Sequence, residues 1–166
     1  MCLASFIIGC AQQPPIVQTP SLPQVLKPAH DAIAAIRSAG ADSGSAVEVQ
    51  PLRDPAVEGW LKEAHELEIK GKFAEAVTAT QRALSLATGA PDILQYQAEL
   101  EFQRQRYEES EKLANNSYEN GPKLGSLCAR NWQTIIEIRS LQKNESAKAQ
   151  AEKQLASCRL AQPVRM

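Results

Sequence analysis

The sequence predicts an all-α fold, a short stack of antiparallel helix pairs preceded by a largely disordered proline-rich spacer. Three observations predict it. Of the 166 residues 43% are hydrophobic and only 5% aromatic, with alanine and leucine prominent, a composition that suits packed helices better than strands of β-branched and aromatic residues. From Val57 onward the apolar residues recur at helical spacing. The windows 57–90 and 91–124 also align with each other at 34 residues without a gap, and self-similarity at such a period marks a repeat architecture. Eighteen Lys and Arg stand against 19 Asp and Glu, a formal charge of -1, so no overall field draws the chain to nucleic acid.

At the start of the chain, residues 1–9, MCLASFIIG, hold an apolar run too short to cross a bilayer and without a basic residue before it. The segment Ile7-Ile8-Gly9-Cys10 resembles the lipobox of bacterial lipoproteins. The resemblance implies a truncated signal with its true start upstream, cleavage after Gly9 and a diacylglyceryl thioether on Cys10. Acylated Cys10 would then hold the protein on a membrane, expected to be the outer membrane with the body facing the periplasm. Residues 10–55 carry seven of the ten prolines, which interrupt helices and favour extended chain, so this region reads as a spacer. Within it, 25–38 has Pro28 and Asp31 near its start, Ile33 and Ile36 on one face and Gly40 beyond its end. That segment either docks on the body or on a partner, or forms a fraying helix.

The repeated body is expected over 56–160, with 161–166 a disordered tail, and a chain starting near Asp54 is expected to fold alone. In the first window Trp60, Ala64, Leu67, Gly71, Phe73, Ala76, Ala83 and Leu84 carry the pattern. The second window matches it with Leu94, Ala98, Tyr107, Ser110, Ser117, Tyr118 and Pro122, but has Gln105 in place of the turn glycine. This pattern resembles the tetratricopeptide repeat. The resemblance implies a solenoid of helix pairs A and B in which small residues let the two helices approach and large ones fill the space between turns of the superhelix. A third pair is expected over 125–160, with its helix A near 127–138 and helix B near 145–157. Its register is poorer, because Trp132 occupies the place of a small residue and Asn144 that of an alanine, so it reads as a terminal cap with Leu155 and Leu160 covering its last surface.

Cys128 and Cys158 fall at the same end of that proposed hairpin, near the start of helix A and the end of helix B. This predicts a disulfide in an oxidising envelope compartment; two buried free thiols are the other reading. A zinc site lacks companions, since the only histidines are His30 and His65. No nucleophile has a partner base at a motif spacing and no glycine-rich phosphate loop follows a strand. Neither an enzyme nor a cofactor is expected.

The resemblance further implies a concave peptide groove lined by the A helices. Glu58, Leu61, His65, Glu68 and Ile69 would line it in the first repeat, and Asp92, Gln95, Glu99, Phe102 and Gln103 in the second. The third would add Ser126, Ala129, Gln133, Ile136 and Glu137. This groove is acidic with apolar interruptions, which matches a basic or amphipathic peptide of an envelope protein; a merely solvated helical face is the plainer reading. The expected function is a membrane-anchored protein-interaction module acting as an accessory or assembly factor. The alternative is a structural or regulatory cell-wall factor acting through its spacer, with the repeats as a rigid end. Oligomeric state is not legible.

Overall fold

A computed structural model describes residues 31–43 and 52–159. These form seven helices: α1 (Ala32–Ala41), α2 (Pro55–Ile69), α3 (Phe73–Leu86), α4 (Pro91–Gln103), α5 (Tyr107–Asn120), α6 (Ser126–Leu141) and α7 (Glu145–Ser157). The lipobox with Cys10, most of the proline-rich stretch, Leu160 and the 161–166 tail lie outside the described residues. Starts are set by local chemistry. Pro55 and Pro91 open α2 and α4 where a missing N–H costs nothing, and Asp31, Asp54 and Asn144 cap α1, α2 and α7 by accepting from backbone N–H groups at 3.1, 2.7 and 3.1 Å.

Helices α2 to α7 form three successive pairs, α2 with α3, α4 with α5 and α6 with α7. Each pair turns by the same device. After α2 the N–H of Lys72 reaches the carbonyl of Leu67 at 2.9 Å, after α4 that of Arg106 reaches Glu101 at 2.9 Å, and after α6 that of Asn144 reaches Arg139 at 3.0 Å. The residue inside each turn is left-handed: Gly71 at φ 70°, Gln105 at 62° and Lys143 at 55°. Gln105 and Lys143 thus accept a conformation that Gly71 adopts freely.

The small residues lie where the helices meet. Ala64, Ala76, Ala83 and Ala98 are fully buried. Where the second pair has serines instead, their hydroxyls bond the facing helix: Ser110 Oγ donates to the Ala98 carbonyl at 2.8 Å and Ser117 Oγ to that of Pro91 at 2.6 Å. Leu67, Phe73 and Tyr96 flank a cluster of Ala76, Val77 and Leu100, while Trp60 and Leu84 flank one of Val57, Ala83 and Ile93. The guanidinium of Arg82 lies 4.6 Å from the Trp60 ring centroid.

The second helix of the third pair, α7, lies where it is expected, over Glu145–Ser157. Its first helix, α6, runs beyond the expected end near 138 to Leu141, 16 residues against 13 for α4, and Asn144, which stands in the place of an alanine in the 34-residue alignment, is the N-cap of α7. Trp132 fits because its ring packs edge-on to Tyr118 at 5.0 Å between centroids, bridging the second and third pairs. Cys128 and Cys158 form a disulfide with Cα atoms 5.6 Å apart. Beside it, the Gly125 N–H donates to the Cys158 carbonyl at 2.7 Å, so backbone and sulfur fasten the two chain ends of the pair together.

Part of the segment expected either to dock or to fray forms α1, which docks on the body. This helix packs along α6, with Ile36 fully buried in a cluster with Ala32, Phe102 and Ile138. Gly40, expected beyond the helix end, is within it and buried. A Cβ there would stand 2.8 Å from Cγ of Arg130 and 3.1 Å from Oγ of Ser126, so only glycine lets α1 lie this close to α6.

Candidate functional site

The A helices α2, α4 and α6 present one face inward, and α1 lies across part of it. Two carboxylates organise this face. Glu99 on α4 is completely buried: its Oε1 accepts from Nε and Nη2 of Arg130 at 2.9 and 2.5 Å and from Nε2 of Gln95 at 3.1 Å, and its Oε2 accepts from Nε of Arg37 at 2.9 Å. Glu68 on α2 accepts from Nη2 of Arg37 at 2.6 Å, from Nε2 of Gln103 at 3.0 Å and from the Tyr96 hydroxyl at 2.9 Å. One guanidinium from α1 therefore spans carboxylates on two other helices, the planar fork geometry to which arginine is suited.

The electrostatics follow from these contacts. Burial alone would raise the Glu68 carboxyl, but Arg37, with Tyr96 and Gln103 donating, outweighs it and holds Glu68 below the ordinary carboxylate value. The Tyr96 hydroxyl is pushed well above its usual value by burial and by the adjacent Glu68 charge. For Arg37 burial works against the charge, yet Glu99 and Glu68 together leave its pKa raised. The face is thus a compact network of fixed charges whose partners are already matched.

The expected groove residues do not share one surface. Gln95, Glu99 and Phe102 lie in the interior, because α4 is flanked by α6 and reached by α1. Ile136 is also interior, in the cluster of Leu94, Leu113 and Ala151, and Glu137 is buried beside Gln133, which donates to it at 2.7 Å. The register of α6 explains this: Arg130, Thr134 and Ile138 face α4 and α1 in their stead, with Thr134 Oγ1 accepting from Gln95 Nε2 at 2.9 Å. Glu58 and Asp92 both pair with Arg53 at the chain's entry into α2. Leu61 packs on the first-pair cluster, whereas His65 and Ile69 are exposed, and Gln103 is tied to Glu68.

An open cleft remains between α1 and α2. It measures about 440 Å³ and is lined by Arg37, Ala41, His65, Glu68, Tyr96, Ser126 and Arg130. Of the expected residues it gathers His65, Glu68 and Ser126; Ile69 stands exposed at the end of the same helix, α2. Sequence reading missed Arg37, Tyr96 and Arg130. The signal for Arg37 was available, since it directly follows Ile36 on the candidate helix. Among the described residues no group of three or more His, Cys, Asp or Glu is placed to hold a metal ion. No protein-family model matches the chain, and no curated protein matches it either.

Proposed function

We propose that this chain is a membrane-anchored protein-interaction module of the bacterial envelope, a short array of tetratricopeptide-like pairs that serves as an accessory or assembly factor and has no catalytic activity. Acylated Cys10 would tether it, facing the periplasm, and the inner face of α2, α4 and α6 would receive a basic or amphipathic segment of an envelope protein. One observation carries the reading: this face already holds a helix, with Arg37 inserted between Glu68 and Glu99 and Ile36 against Phe102 and Ile138. That is the chemistry of helix-in-groove recognition. The disulfide supports the compartment, since such bonds persist in oxidising surroundings. No helix among the described residues is long and apolar enough to cross a membrane.

Two substitution sets test it. Cys10→Ser in the native bacterium should release the protein from membranes and remove the acyl mass; membrane-derived protein without acyl addition at Cys10 would contradict the anchor. His65→Lys with Ile69→Lys, both at exposed positions, should abolish capture of a basic partner with unchanged melting. Glu108→Lys with Lys112→Glu, on α5, should leave capture intact. Equal losses from both sets would refute the inner face as the binding surface.

A further inference from the structure

We propose that α1 is an exchangeable occupant of the inner face, and that the partner received there is an amphipathic helix with one central arginine, which binds by displacing α1. The inference rests on the protein-binding reading above and adds the partner's chemistry and the device that regulates access.

The first support is how α1 is held. It has 10 residues, too few for a helix that persists alone in water, so it keeps its form only while docked. Its buried residues are Ala32, Ile36 and Gly40, while Ala34, Arg37, Ser38 and Ala41 stay exposed. It packs chiefly on α6, and residues 42–54 connect it to α2 in sequence. An element with one large buried apolar side chain, Ile36, and one short face belongs to the class that opens before the body does.

The second support is the fit. Six α1 residues make the docking face: Ala32, Ile33, Ile36, Arg37, Ala39 and Gly40. Three of them set a requirement for a competitor. Ile36 needs an aliphatic residue to fill the space between Phe102 and Ile138. Arg37 needs a fork, because Nε and Nη2 go to different carboxylates at 2.9 and 2.6 Å; a lysine ammonium on one stem cannot reproduce that separation. Gly40 needs the absence of a side chain, with Arg130 Cγ 2.8 Å from where a Cβ would be. A competing helix therefore carries an aliphatic residue immediately before its arginine and a glycine three residues after it. The open cleft beside Arg37 and Ala41 lets such a helix contact His65 and Tyr96 before α1 has left.

The probe is a labelled synthetic peptide of residues 30–44, tested for binding to the full chain by fluorescence anisotropy. Two variants open the face from the α1 side alone: Ile36→Asp with Arg37→Ala, and Gly40→Leu. Both should bind the peptide at least tenfold more tightly than the wild-type chain does, because the internal competitor has been weakened. In the peptide, Arg37→Lys and Gly40→Leu should each weaken binding to the opened chains at least tenfold. Equal affinity for the wild-type and opened chains would overturn the proposal, as would no peptide binding to either opened chain or equal binding of the Lys peptide. Loss of cooperative melting in both opened chains would make α1 a fixed strut and also overturn it. Dimers of wild-type chain with α1 exchanged between copies would replace the foreign partner by a second copy and refute the partner assigned here. None of these failures touches the His65 and Ile69 test, which acts on the cleft that α1 leaves open.

Discussion

Replacing Ile36 by alanine isolates how firmly α1 is held. Ile36 is fully buried against Ala32, Phe102 and Ile138 and is the largest side chain by which α1 enters the interior. Truncating a buried isoleucine to alanine costs about 2 to 5 kcal/mol. Here the lower part of that range applies, because α1 packs on the body from one side and can shift to close the gap. A loss of about 2 to 3 kcal/mol corresponds to roughly 30- to 150-fold in an opening equilibrium. Peptide-resolved hydrogen exchange reads it directly: amides bonded within α1, such as Asp42 to the Ser38 carbonyl at 2.9 Å, should exchange faster by that factor. Amides of α3 and α4, held by the first two pairs, should barely change. Unchanged exchange in α1 would show that Ile36 does not anchor it. An equal acceleration in α3 and α4 would show that α1 and the body unfold as one unit.

Further predictions concern the network and the turns. Glu99→Gln leaves Arg130 and Arg37 facing a neutral amide and should cost about 3 to 5 kcal/mol in a denaturant titration, whereas Arg37→Ala should cost less, because Glu99 keeps Arg130 and Gln95. Lys143→Gly relieves a left-handed residue and should stabilise by about 1 kcal/mol, seen as a higher melting temperature; an unchanged or lower one would contradict the turn assignment. Replacing Cys128 and Cys158 by alanine should cost about 2 to 4 kcal/mol and speed exchange first in α7 and α1, since Ala39 packs on the disulfide cluster. Glu68 has a folded pKa below its ordinary 4.5, so its contribution is complete above that pH and is lost as pH falls through the lower folded value. Melting temperature should therefore drop as pH falls below 4.5, and less so in Glu68→Gln; the groups facing that carboxyl are Arg37, Tyr96, Gln103 and His65.

The hairpins were legible because their signals are local and redundant. Ala64, Ala76, Gly71 and Phe73 state the pair geometry in sequence, and Ser110 and Ser117 keep it by bonding across it. Cys128 and Cys158 were legible as a pair because antiparallel helices bring their outer ends together. In the third pair the helix over 145–157 was legible, but the end of α6 and the inward positions along it were not, since a fixed 34-residue spacing cannot follow the added residues of α6. The site was half legible. The positions carried over by the resemblance placed Glu68 and Glu99 on the inner face, but what covers them is a long-range matter. Ten residues following a proline-rich stretch dock through Ile36 and through Arg37, which lies 62 positions before its partner Glu99, and no periodicity in the repeats announces that contact.

Site-specific photocrosslinking in native membranes tests the central claim that the inner face receives a protein partner. The crosslinking residue is placed at His65, on the open side of the cleft, and in a control at Lys112 on α5. The account predicts a discrete crosslinked product from position 65, none from 112, and loss of the product when the peptide of residues 30–44 is added in excess. Products of equal yield from both positions, or a position-65 product that the peptide does not diminish, would contradict it.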